Sequence, residues 1–77
     1  MPRLADFDGI AIEMYAADHN PPHVHVFYRD DEALLQIADG GLYAGAVPGK
    51  ALREARAWIA ANRPSLQAEW ARLQEVD

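Results

Sequence analysis

Apolar residues in the first half of the chain recur at every second position, and in the second half at every third or fourth. Ile10, Ile12 and Met14 alternate with Ala11, Glu13 and Tyr15, the period of a half-buried strand. A proline-containing loop, 16–22, follows. A second strand is predicted over His23–Tyr28, with Val24, Val26 and Tyr28 on the core face and His23, His25 and Phe27 on the other. Arg29-Asp30-Asp31 reads as a polar turn. A third strand, Glu32–Ala38, puts Ala33, Leu35 and Ile37 on one face. Asp39-Gly40-Gly41 is a hairpin signal, because glycine accepts positive φ cheaply. A short fourth strand, Leu42–Val47, completes the meander. Pro48-Gly49 then closes the strand region, and the period becomes helical over 49–61, with Leu52, Ala55 and Ile59 in one stripe beside Ala51 and Trp58. Asn62-Arg63-Pro64-Ser65 predicts a break, with Asn62 capping a second helix in which Leu66, Trp70, Leu73 and Val76 continue the stripe.

Strands followed by helices imply an α+β fold: a three- to four-stranded antiparallel meander followed by two helices packed on one face. The whole of 1–77 is expected to be a single small domain, strand-rich over 1–47 and helical over 48–77. A chain of 77 residues buries only about 60–65% of its unfolded surface, so its stability margin is thin. The expected core is Ile10, Ile12, Met14, Val24, Val26, Leu35, Ile37, Leu42, Leu52, Trp58, Ile59, Leu66, Trp70 and Leu73.

Composition narrows the function classes. The chain has no cysteine, which removes disulfide frameworks and thiolate metal sites. It shows no apolar run near the roughly 20 residues that span a bilayer, and no charged-then-apolar leader. The expectation is a soluble, cytoplasmic protein without a membrane partner. A net charge of −5 argues against a simple nucleic-acid binder. The charge is uneven, however: 1–46 sums to −6, 47–63 to +3 and 64–77 to −2. Lys50, Arg53 and Arg56 in the basic strip are therefore the candidate nucleic-acid contacts, against the plainer reading of a solvated helix face.

Candidate chemistry concentrates in Asp18-His19-Asn20-Pro21-Pro22-His23-Val24-His25, which holds all three histidines. The prolines stiffen the loop by fixing φ. On a strand, His23 and His25 share a face, with side chains about 6.5–7 Å apart along it. Three readings stay open. In the first, His19, His23 and His25, with Asp18 as a fourth ligand or an acceptor behind them, hold a divalent transition metal such as zinc. In the second, the histidines are the catalytic acid and base of a metal-free hydrolase, most simply a nuclease. Arg29 or the basic strip would then hold phosphate, and Tyr15 or Tyr28 would stack or donate. In the third, which asks least of the sequence, the domain is an interaction module that self-associates or binds a partner, and the histidines and Phe27 are interface residues.

Phe7-Asp8-Gly9-Ile10, Met14-Tyr15 and the His-Asn-Pro-Pro-His-x-His run, with Gly45-Ala46-Val47-Pro48, Ala51-Leu52, Trp58 and Trp70 behind them, resemble the small bacterial family named domain of unknown function 4160. The likeness spans nearly the whole chain, and the histidine run is its specific part. It implies a stand-alone small cytoplasmic protein of no established activity, often encoded beside a second small protein in an arrangement similar to toxin–antitoxin pairs. The partner it implies is that neighbour's product.

Overall fold

A computed structural model of the chain describes residues 3–16 and 18–74. Val76, expected to extend the helical stripe, lies outside them. Five strands, β1 (Arg3–Phe7), β2 (Ile10–Glu13), β3 (His23–Tyr28), β4 (Asp31–Gln36) and β5 (Leu42–Gly45), precede one helix, α1 (Gly49–Gln74). The fold is α+β. The strands form one antiparallel sheet in the order β1-β2-β3-β4-β5, a pure meander.

Alternation in β3 sets the register of everything around it. Val26 lies opposite Ile12 on one side and Ala33 on the other, and Val24 lies opposite Leu35. These side chains, with Ile10, Met14 and Ile37, are at most 1% exposed. Each buried Val, Leu, Ile or Met among them contributes about 1.5–3 kcal/mol relative to exposure. Ala51, Ala55 and Ile59 of α1 close the core from one face of the sheet, with Leu66 and Trp70 farther along the helix.

The structure departs from the sequence reading at several points. There are five strands rather than three or four, because β1 is an edge strand with a register irregularity between Arg3 and Ala5 and few large apolar residues to betray it. The third and fourth predicted strands are shorter than expected, ending at Gln36 and Gly45. One helix replaces the predicted two, and it runs through Pro64. The reason is the spacing of its buried residues. Ile59 and Leu66 are seven apart, so the stripe Ala51, Ala55, Ile59, Leu66, Trp70 keeps one face toward the sheet across the proline. Pro64 is exposed, so the Ala60 carbonyl it cannot serve is left on the solvent side. Asn62 does not cap a second helix; its side-chain amide donates to the Trp58 carbonyl at 2.8 Å. Leu42 is not core: it is 47% exposed on the edge strand β5.

The loop before β3 is fixed by backbone bonding. The Asn20–Pro21 peptide is cis, and the Ile37 N–H donates to the Pro22 carbonyl at 3.0 Å, which extends the β3–β4 ladder into the loop. At the other edge, Gly45 has φ +75°, and a Cβ there would sit 2.3 Å from the Glu32 carbonyl oxygen. Only glycine lets β5 close on β4 at this point.

Two measurements check these assignments. Pro64→Ala is expected to raise unfolding free energy by about 1–3 kcal/mol, since it restores a helical N–H and removes a ring–carbonyl clash; a neutral or destabilising result in urea titration contradicts a continuous helix. Gly45→Ala is expected to lose more than about 1 kcal/mol and to expose β5 amides to hydrogen exchange before those of β3.

Candidate functional site

Three ligand-type atoms converge where the 18–22 loop meets β3. One atom each from Asp18, His23 and His25 lies within 4.8 Å of the others. Asp18 Oδ2 is 2.9 Å from His25 Nε2 and 3.4 Å from His23 Nε2. Alternation along β3 puts the two histidines on one face, and the proline loop folds Asp18 back over them.

The far nitrogens of both rings are also committed. His23 Nδ1 lies 2.8 Å from the Pro21 carbonyl oxygen. A carbonyl only accepts, so Nδ1 carries a proton and donates, and in the neutral ring Nε2 is a lone pair aimed at Asp18. His25 Nδ1 lies 2.9 Å from Glu32 Oε2. With carboxylates at both its nitrogens, His25 satisfies both contacts only as an imidazolium, or with a cation at Nε2 and a proton at Nδ1. The Asp18 oxygen therefore lies against two Nε2 atoms, and His25 presents a proton to it when its ring is an imidazolium.

Its surroundings hold this arrangement in place. His23 is buried at 4% exposure, which corrects the expectation that it stands on the open face. Tyr43 of β5 stacks on its ring at 5.8 Å, and the Trp70 ring of α1 is tilted against it at 5.4 Å. Tyr15 meets His25 edge-on at 4.6 Å, and Phe27 stacks on it at 6.3 Å. Glu13, directly across from His25 in the ladder, accepts a hydrogen bond from the Tyr15 hydroxyl and is paired with Arg3 at 3.2 Å. That hydroxyl contact lowers the Glu13 pKa and pushes Tyr15 up to about 12, so Tyr15 stays protonated at neutral pH. For His25, burial opposes charging, but the hydrogen bonds its ring donates to Glu32 and Asp18 outweigh it and raise the pKa above the ordinary imidazole value.

Among the sequence candidates, Asp18, His23 and His25 come together, while His19 is exposed and outside the converging group. Arg29 is at the opposite end of β3, its guanidinium 5.2 Å over the Tyr28 ring. The basic strip is elsewhere too. Arg56 Nε donates to the Gly40 carbonyl at 2.9 Å, and Lys50 faces Glu54 at 3.9 Å. Arg53 is exposed on the same first half of α1. Lys50 is separated from Trp70, the helix residue at the histidines, by about 30 Å of helix. Glu32, Tyr43 and Trp70 were not legible as site residues individually. Glu32 had a signal: a tight turn at 29–30 places it opposite Phe27, hence diagonal to His25 on the same face. Tyr43 and Trp70 arrive by tertiary packing, which no local pattern encodes.

A family model described as Domain of unknown function (DUF4160) matches residues 9–71. Neither the comparison with curated proteins nor that with solved structures gives a match. The matched span contains the whole converging group and Glu32.

The raised His25 pKa gives a test by pH. The folded protein holds this proton more tightly than the unfolded chain. The stabilisation is therefore complete below the unfolded imidazole pKa of about 6.5 and is lost as pH rises through the higher folded value. In metal-free buffer the urea midpoint is expected to fall as pH rises above the unfolded imidazole pKa of about 6.5, and to fall less in Glu32→Gln. Parallel curves for the two proteins would show that Glu32 does not hold the proton.

Proposed function

The chain belongs to the DUF4160 family, whose members are domains of unknown function, and from that premise we propose that it is a small divalent-metal-binding interaction module. Asp18, His23 and His25 are the metal ligands in this reading. The observation that carries it is the paired orientation of the histidines: each Nδ1 is engaged by an acceptor, Pro21 or Glu32, and each Nε2 faces the same Asp18 oxygen. Metal-bound imidazoles are usually oriented in this way by an acceptor behind the ring.

Distances and charge agree with a first-row divalent ion. Tetrahedral ligands about 2.0–2.1 Å from zinc are about 3.3 Å from one another; the two separations to Asp18 are 2.9 and 3.4 Å, and the three ligand atoms lie within 4.8 Å of one another. Two carboxylates, Asp18 and Glu32, balance a charge of two. A donor set of two imidazoles, one carboxylate and no thiolate suits zinc and its neighbours in the series. Three protein ligands leave a position open.

What fills that position separates a module from an enzyme. A cavity of about 220 Å³ lined by Leu4, Trp58, Asn62, Ser65, Leu66 and Glu69 lies between β1 and α1, not over the triad. Beside His23, by contrast, β5 offers Tyr43 and Leu42, 48% and 47% exposed, on an uncharged sheet edge. Such an edge favours association with another chain. The product of a neighbouring gene, in a toxin–antitoxin-like pair, is the partner to co-express. The open coordination position favours a second reading, a metal-dependent hydrolase. Its nuclease form lacks a phosphate-holding cation at the site among the described residues, because the basic strip is on the other half of α1.

Calorimetric titration of zinc chloride into metal-free protein tests the centre. Wild type is expected to bind one zinc at micromolar Kd or tighter. His23→Ala and His25→Ala should each lose at least about 100-fold, and Glu32→Gln about 10–100-fold, the range for partners behind a ligand. His19→Ala should bind as wild type. Millimolar binding by wild type, or an equal loss in His19→Ala, contradicts the proposed ligand set. For the second reading, wild type and His23→Ala are compared on total RNA with zinc present; zinc- and His23-dependent cleavage would replace the module by the enzyme.

A further inference from the structure

We propose that Trp70 positions His23 as a ligand, so that docking of the helix tail beyond Pro64 and metal binding at the triad are one coupled equilibrium. This rests on the metal-binding reading above and adds to it a means of regulation.

The two parts of α1 are attached to the sheet in different ways. Before Pro64, Arg56 and Arg63 donate to the Gly40 and Ile37 carbonyls at 2.9 and 2.7 Å, which ties the helix to the β4–β5 turn. After Pro64, the side-chain hydrogen bonds of the described residues stay within the tail itself, between Arg72 and Glu69. The tail is held by packing of Leu66, Trp70 and the half-buried Leu73. Pro64 sits at the junction and omits one helical hydrogen bond there. The tail is therefore the part of the helix with the fewest directional attachments, and it ends on a proposed ligand.

Trp70 is 7% exposed and its ring centroid is 5.4 Å from that of His23. An imidazole is free to turn about its broad χ2 torsion unless its neighbours prevent it. Here the Pro21 carbonyl, Tyr43 and Trp70 hold the ring so that Nε2 faces Asp18. If the tail lifts, one of these supports is lost and Nε2 is no longer fixed. Conversely, a metal that pins the His23 ring gives Trp70 a rigid surface to pack on. Such coupling is reciprocal: whatever the tail contributes to metal affinity, the metal contributes to tail docking. Lifting the tail would also uncover Leu66, Trp70 and Leu73, so metal occupancy would control the exposure of an apolar stripe.

The test combines zinc titration with hydrogen exchange of amides 65–74 in the full chain. One equivalent of zinc chloride is expected to slow exchange of these amides about tenfold, while amides of β4 change less. Trp70→Ala is expected to weaken zinc binding by about 5–20-fold, within the usual range of coupling between sites, and Trp70→Phe to recover most of it. Leu66→Ala removes a tail anchor that is not among the ligands, and it is expected to weaken zinc binding about 5-fold. Tight zinc binding by wild type with unchanged tail exchange overturns the coupling while leaving the metal centre intact. So does wild-type zinc affinity in Leu66→Ala or Trp70→Ala. A wild type that takes up no zinc overturns the metal centre itself and the coupling with it.

Discussion

The strict alternation of β3 is the constraint on which both the core and the site depend. As the central strand it is paired on both sides, with Val24 and Val26 facing the helix and His25 and Phe27 facing away. Because the side-chain period is two, the same register that buries the valines aims the histidines. A slip of one residue would push both imidazoles into the apolar core and both valines onto the face that Asp18 and Glu32 occupy, so the core register also sets the candidate site. Burial of Val24 and Val26 is complete, and the free energy that selects this register comes from them, not from the polar contacts of the histidines.

Polar contacts act at a second level. Several groups near β3 are arranged in pairs that cancel: Arg3 with Glu13, the Tyr15 hydroxyl with Glu13, His25 with Glu32. At Asp18 the pairing is incomplete, because one oxygen faces two Nε2 atoms and has at most a proton to share with them. A buried or half-buried carboxylate with imidazoles on it is costly unless the positive charge is present. In the metal-free protein that charge is the His25 proton, which the raised pKa reflects. A divalent ion would supply the same need with fixed geometry.

Much of this was legible in the residues themselves. The β3 boundaries, its core-facing valines, the turn after Tyr28 (29–30, with Asp31 already in β4) and the Asp39-Gly40-Gly41 connection follow from period and turn chemistry. That Asp18, His23 and His25 lie close together was legible from their order and spacing in the chain. What failed has physical causes. Edge strand β1 carries too little apolar signal to be seen. Pro64 reads as a stop locally, yet the stripe on either side of it shares one face and the packing prevails over propensity. The meander alone leaves His23 on an open face; Trp70, 47 positions later in the sequence, and Tyr43 cover it. His19 looked like an equal member of the cluster by spacing, but the loop that brings Asp18 inward turns His19 out.

In the proposed metal centre, Nε2 of His23 and of His25 bind one cation while Nδ1 of each stays protonated and engaged. A long-range proton–nitrogen NMR spectrum of the histidine rings, recorded with one equivalent of zinc, tests it most directly. The expected result is metal-shifted Nε2 and protonated Nδ1 for His23 and His25, with His19 unchanged. Three unshifted rings, or a metal at Nδ1 of either histidine, would contradict it.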